Sequence, residues 1–416
     1  MSADRLLRRW RTLASFILLS TATGCPDDGV TLPPTRTFPR TTEWPGVTIN
    51  RGANVLPQVV TVSDLNIDGL PDVIVGYPGG TDSQPQVAVF FQISPTQWTG
   101  VSIATGPAVT LVSSLAVGDL NGDGRNDIIA AADGQLVYMR SPPDPVVGQW
   151  LVDVIAESSG ADLGRWTDVA IVQIDQLFGP DIVAANGLPG RLSWFRAPQF
   201  AVTGAGFRRI DIDGNRNSAS SILIEDVDRD GNPDVISSAR QEQTASIAWY
   251  RHPGGNAAAQ DLWEKFIIGN LADAHRLGLG DLDRDGRNDV AVISPSQRRV
   301  AWFAMPEDVL NSAWNGVVLA EFTQNSPADL KIVDVDVNGQ LDAIVATADQ
   351  GVLRWFTAVN DVRAQWVENN MADPGANVGF VGVADIDRDG RQDVVAPLVA
   401  QDSANDQVAW FRNPEL

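Results

Sequence analysis

From residue 59 to residue 411 the chain alternates short apolar runs with polar segments, and no stretch carries the 3.6-residue period of an amphipathic helix. One kind of apolar run recurs as VIVG (73–76), IIAA (128–131), IVAA (182–185), VISS (235–238), VAVI (290–293), AIVA (343–346) and VVAP (394–397). A variable polar loop follows each, and then an aromatic run: VAVFF, LVYMR, LSWFR, IAWYR, VAWFA, VLRWF and VAWFR. The next short segment opens around Trp98, Trp150, Trp263, Trp314 or Trp366, with Phe207 in the equivalent place once. An apolar segment such as LAVGD or VGVAD leads into the next period. Short runs rich in Val, Ile and aromatics, bounded by turn residues, predict four β-strands per period.

Before each VIVG-type run stands an acidic loop: DLNIDGLPD (64–72), DLNGDGRND (119–127), QIDQLFGPD (173–181), DVDRDGNPD (226–234), DLDRDGRND (281–289), DVDVNGQLD (334–342) and DIDRDGRQD (385–393). Successive loops start 55, 54, 53, 55, 53 and 51 residues apart. Four strands in so regular a period predict an all-β fold, a β-propeller of seven four-stranded blades. The stretch WPGVTIN, opened by Trp44, resembles a fourth strand with no three before it, and the last repeat stops after its third strand at VAWFRNPEL. The N-terminal strand is therefore expected to complete the last blade, closing the ring and removing both free sheet edges. The propeller is assigned to residues 44–416.

Six of the loops place oxygen-bearing side chains at positions one, three, five and nine. They are Asp64, Asn66, Asp68 and Asp72; Asp119, Asn121, Asp123 and Asp127; and Asp226, Asp228, Asp230 and Asp234. The other three sets are Asp281, Asp283, Asp285 and Asp289; Asp334, Asp336, Asn338 and Asp342; and Asp385, Asp387, Asp389 and Asp393. Ca²⁺ takes six to eight oxygen ligands, which alternate side chains and a backbone carbonyl of one loop can supply, and the Gly at position six permits the turn. An EF-hand would add a Glu at position twelve and flanking helices. Here those positions hold Val75, Ala130, Ser237, Val292, Val345 and Ala396, and the flanks are strands. Without a cation, carboxylates crowded into one turn repel. About six Ca²⁺ sites are expected on this chemistry. The third loop has Gln173 and Leu177 at positions one and five, keeping only Asp175 and Asp181, and is expected to hold no ion.

Strand–DxDxDGxxD–strand units at this spacing resemble the FG-GAP/VCBS repeats that build the seven-bladed propeller of integrin α-subunits, and AWFRNP resembles the bacterial VCBS variety. The resemblance covers residues 44–416. It implies that the calcium loops lie between the first and second strands of each blade, on one face, and are structural. Few blades keep the Phe-Gly or Gly-Ala-Pro pieces of the family's name motif.

Composition narrows the partners. A formal net charge of −22 and the lack of a Lys/Arg cluster argue against nucleic acid. With one Cys and two His, neither a disulfide framework nor His-rich zinc chemistry is available. Residues 1–24 carry Arg5, Arg8, Arg9 and Arg11 before the apolar stretch TLASFILLSTAT, as a signal peptide does. The stretch ends at ATGC, which resembles a bacterial lipobox with Ala22 in place of the usual Leu and Cys25 as the lipidated residue. Residues 25–43, rich in Pro and Thr, read as an extended tether. The expectation is an exported monomer that touches the membrane only through its lipid anchor, in the bacterial envelope at the outer membrane, facing the periplasm or the surface. Removing residues 1–24, with four Arg and one Asp, takes the charge to −25, and six Ca²⁺ would bring it to −13.

The repeated Trp194, Trp249, Trp302, Trp355 and Trp410 are expected to wedge neighbouring blades. Trp166 falls outside that position, in SSGADLGRWTD (158–168), and is a candidate for ligand contact. Function is expected on the face opposite the acidic loops, in 76–86, 186–191, 239–246, 270–276, 295–299 and 397–407. Arg165, Trp166, Arg191, Arg240, His275, Arg276 and Arg298 are the ligand candidates there, suited to an acidic glycan or a protein carboxylate. The favoured reading is a calcium-stabilised envelope binding or adhesion module that recognises a protein or glycan. An alternative is a polysaccharide lyase or hydrolase using His275 with Glu242 and neighbouring arginines. Another is a structural scaffold subunit of an envelope complex. No nucleophile elbow, HExxH, P-loop or dinucleotide fingerprint accompanies these residues.

Overall fold

Repeats of this kind cannot bury their apolar faces alone, so neighbouring units must cover one another. The computed structural model describes residues 30–31, 43–52, 56–78, 85–105, 111–157, 164–201, 203–255, 263–348, 351–359, 362–363 and 366–415. These form seven antiparallel sheets, one for each repeat. In blade 4, for example, Ala219–Glu225, Asp234–Ala239, Ile247–Arg251 and Glu264–Gly269 pair in sequence order. The innermost strands lie next to one another from blade to blade around a ring. The acidic loop joins the first and second strands of every blade, for instance between Val59–Ser63 and Asp72–Gly76 in blade 1. All seven acidic loops therefore share one face, as expected.

The ring closes as the sequence predicts. Gly46–Arg51 pairs antiparallel with Gln407–Phe411 and becomes the outermost strand of blade 7, with Val47 opposite Trp410. Trp44, just before it, is buried and donates its backbone N–H to Met371 O of blade 6. Residues 1–24 and Cys25 lie outside the described residues, as does most of the 25–43 tether. Val30 and Thr31 are described, and they add a short parallel strand to the outer edge of blade 5, opposite Gly316 and Val317.

The core is divided. Seven apolar clusters of described residues each join two adjacent blades. Trp194 sits between blades 3 and 4, Trp249 between 4 and 5, Trp302 between 5 and 6, Trp355 between 6 and 7, and Trp410 between 7 and 1. Tyr138 fills the wedge between blades 2 and 3, and Val89 with Phe91 that between blades 1 and 2. A fully buried aromatic of this size contributes about 3–5 kcal/mol, judged by what its removal costs in other cores. This placement explains the periodic aromatic run: a tapered gap between twisted sheets takes one large ring per blade.

Candidate functional site

Each acidic loop is shaped by its own side chains. The first-position Asp accepts from the backbone N–H groups at positions five and six, as Asp226 does from Asp230 (3.0 Å) and Gly231 (2.9 Å). The same pair forms at Asp64, Asp119, Asp281, Asp334 and Asp385. Position six lies in the left-handed region, with Gly69 at φ 81° and Gly231 at φ 90°, where glycine is favoured.

The ninth-position Asp does different work. It is fully buried in all seven loops, the third included. Asp289 accepts from Leu282 N–H (3.1 Å) in the loop and from Met305 N–H (2.9 Å) at the end of the third strand. Asp181 does the same with Ile174 (3.0 Å) and Ala197 (2.6 Å), and Asp393 with Ile386 (2.9 Å) and Asn413 (2.7 Å). His252 occupies this third-strand position in blade 4, its backbone N–H donating to Asp234, which marks it as a structural turn residue. Burial pushes these carboxyls up, to about 6 at Asp72, Asp127 and Asp181 and to about 7 at Asp234, Asp289, Asp342 and Asp393.

Three carboxylates converge in each of four loops, with oxygens within 4.8 Å of one another: Asp226, Asp228 and Asp230; Asp281, Asp283 and Asp285; Asp334, Asp336 and Asp342; Asp385, Asp387 and Asp393. In the first two loops Asn66 and Asn121 take the third position. The donor set fits a hard cation. Asp283 Oδ1, Asp336 Oδ1 and Asp387 Oδ1 are buried without a hydrogen-bond partner, as metal-facing oxygens are. These clusters could hold metal ions. In the third loop Arg196 Nε lies 2.5 Å from Asp175 Oδ2, as Arg251 Nε lies 2.5 Å from Asp228 Oδ2 in the fourth. Phe178 of the third loop takes the Gly position at φ 58°, and the loop keeps its shape without its ligands.

Loops of neighbouring blades are laced together. Arg229 Nη2 donates to Gly286 O (2.6 Å), and Arg388 reaches Gly69 O. Asn126 Nδ2 donates to Asp64 O (3.2 Å), and Gln340 Nε2 to Leu282 O (2.5 Å). This face is tied blade to blade.

The opposite face opens into a mouth of about 600 Å³, in the range of small-ligand sites. Arg165, Arg240, His275 and Arg276 line it. The other candidates lie elsewhere. Trp166 is 1% exposed and meets Phe195 edge to face at 5.6 Å between blades 2 and 3, so it is a wedge and not a ligand platform. Its place at the start of an innermost strand explains its departure from the repeat position. Arg191 pairs with Asp211 (3.3 Å), and Arg298 reaches Thr323 O (3.4 Å); neither lines the mouth. Glu242 is held by the fully buried Arg216 (2.6 Å) and by Lys265 (3.3 Å), so it does not join His275 in the mouth. Residues 79–84 and 158–163 of the candidate loops lie outside the described residues.

His275 donates its backbone N–H to Ile293 O (2.9 Å), while its Nδ1 is buried without a partner. Burial, then the charges of Arg276 and Arg240, hold its pKa well below the usual value, so the ring is neutral at pH 7. Below it, Arg276 stacks over the Phe380 ring at 3.9 Å and donates to Ser113 O (2.7 Å). Arg276 and Phe380 line both the mouth and the channel beneath it, and so form the floor between them. In the channel, Asp168 accepts from Ser114 Oγ (2.6 Å) and Ser221 Oγ (2.9 Å) and faces Arg276 Nη1 at 3.4 Å. One carboxylate thus ties blades 2, 3, 4 and 5. Sequence reasoning missed Asp168, Phe380 and Arg216. The available signal was a carboxylate two residues into the innermost strands, in WTDVAIV and again, as Asp329, in PADLKIV.

FG-GAP-like repeats match residues 64–130 and 226–292. The chain thus carries FG-GAP-like repeats in a seven-bladed propeller, a combination that points to a binding or adhesion module. No curated protein matches the sequence. Among solved structures, the crystal structure of BBS1N in complex with ARL6DN, soaked with lead, aligns with a TM-score of 0.56 at 12% identity, over 90% of this chain and 98% of that one. The β-propeller domain of Myceliophteria thermophila Cps50 (Swd1) aligns with a TM-score of 0.54 at 10% identity, over 88% of this chain and 99% of that one. Likeness at such identities shows the fold alone.

Proposed function

We propose that this protein is a calcium-stabilised binding or adhesion module of the cell envelope, whose protein or glycan partner docks at the mouth opposite the acidic loops. The observation that carries this reading is the division between the faces. One face is laced between blades and rich in convergent carboxylates, while the other holds a mouth with hydrogen-bond donors at its wall. Calcium in the six intact loops would replace repulsion between carboxylates with shared coordination. Anchorage through Cys25 after export belongs to the same reading and rests on the sequence of residues 1–43. Acid–base catalysis by His275 and Glu242 is not favoured, because the pair is not brought together at the mouth.

The test uses residues 43–416 immobilised in calcium buffer and exposed to envelope polysaccharides and envelope protein extracts. Retention is expected without small products, and Ala348→Trp, a bulky side chain on the wall of the mouth, is expected to abolish it. Release of new reducing or unsaturated ends would replace binding with catalysis, and retention unaffected by Ala348→Trp would move the site elsewhere.

A further inference from the structure

The wall of the mouth has an unusual composition for so acidic a chain. With a net charge of −22 overall, the mouth presents Arg165, Arg240, Arg276 and His275, and among its described lining residues there is no Asp or Glu. Arg165 is 55% exposed and meets Asp133 only at 3.8 Å, which leaves most of its donors free for a ligand. Arg240 pairs with Asp273 through Nε, at 2.6 Å. His275 is neutral and keeps a buried, unpartnered Nδ1 beside them. Between these groups lie the neutral hydrogen-bonding residues Gln58, Ser220, Ser326 and Asn377, with the hydroxyls of Ser113 and Thr167, which donate to Leu111 O and Ala219 O, left as acceptors. Pro57, Pro295, Pro327 and Phe380 supply flat apolar surface.

Resting on the binding reading above, we propose that the mouth takes a carboxylated sugar, a uronate unit at the end or side of an acidic polysaccharide. A guanidinium matches a carboxylate through paired N–H···O bonds, which a neutral sugar cannot form. The neutral residues suit ring hydroxyls, and the apolar surface suits the C–H face of a pyranose ring. A fatty acid would leave the neutral hydrogen-bonding groups unsatisfied, and a neutral glycan would leave two rim arginines without use.

The experiment is calorimetric titration of residues 43–416, in calcium buffer, with trisaccharides of galacturonate, mannuronate and glucuronate and with their methyl esters. At least one acid trisaccharide is expected to bind, its methyl ester at least tenfold more weakly. Arg165→Ala combined with Arg240→Ala is expected to weaken binding at least tenfold while leaving the melting temperature in place, and Arg191→Ala to leave binding unchanged. Equal affinity for acid and ester, indifference to the double substitution, or no binding of any acid trisaccharide would each overturn the proposal. A neutral glycan or a protein blocked by Ala348→Trp would in that case preserve the mouth as a binding site. No retention of any envelope component would remove both readings.

Discussion

Asp181 sits in the one loop that has lost its ligand pattern, yet it is as buried as its six counterparts and makes the same two backbone hydrogen bonds as Asp72, Asp234, Asp289 and Asp393. The ninth-position Asp therefore has a role independent of metal, fastening the loop to the end of the third strand. Replacing it orphans two buried N–H groups, each a loss of about 1–3 kcal/mol. Asp181→Ala is expected to lower unfolding free energy by about 2–6 kcal/mol without changing the amount of bound calcium. Asp289→Ala is expected to lose the same hydrogen bonds and one ion besides. Denaturant unfolding and metal analysis of the two variants check this, and a shared loss of calcium would contradict the separation. The sequence showed which aspartates recur, but ligand and staple look identical in a repeat. Only the burial of Asp181 without its partners tells them apart.

At the scale of elements, the regular spacing of the loops made the blades legible, because each period holds its own four strands and turns. The closing strand was legible too, since WPGVTIN lacked three strands before it and VAWFRNPEL lacked one after it. The short strand Val30–Thr31 was not, because two residues in a Pro- and Thr-rich stretch carry no strand pattern. Trp166 was misread for a related reason: its wedge position follows from an innermost strand that starts earlier than the repeat suggests. Removing residues 43–52 is expected to bare the Gln407–Phe411 edge, since that strand would lose its outer neighbour among the described residues. Size-exclusion chromatography should then show self-association, and a monodisperse monomer with an unchanged melt would argue against closure as a source of stability.

Across the whole molecule the ring brings together groups that no local pattern connects. Asp168 meets residues of three other blades, and Arg276 meets Phe380 from across the ring. These contacts depend on the curvature of seven sheets, so the mouth and its floor could not be read from one repeat. The buried ninth-position carboxyls also make a global pH signature. Burial raises seven of them from 3.8 to about 6 or 7, so between those values the folded state binds protons that the unfolded chain releases. With calcium removed by EDTA, the melting temperature is therefore expected to fall as pH rises from about 5 to 8. A rise over that range would show that the carboxylates are not held in this desolvated state.

The central proposal is that the acidic loops hold metal ions that keep the propeller in shape. Native mass spectrometry of residues 43–416, exchanged into dilute calcium and then into volatile buffer, counts the ions directly. Six Ca²⁺ per chain are expected, one for each loop with a full set of oxygen ligands and none at 173–181. A folded chain that carries no calcium would contradict it.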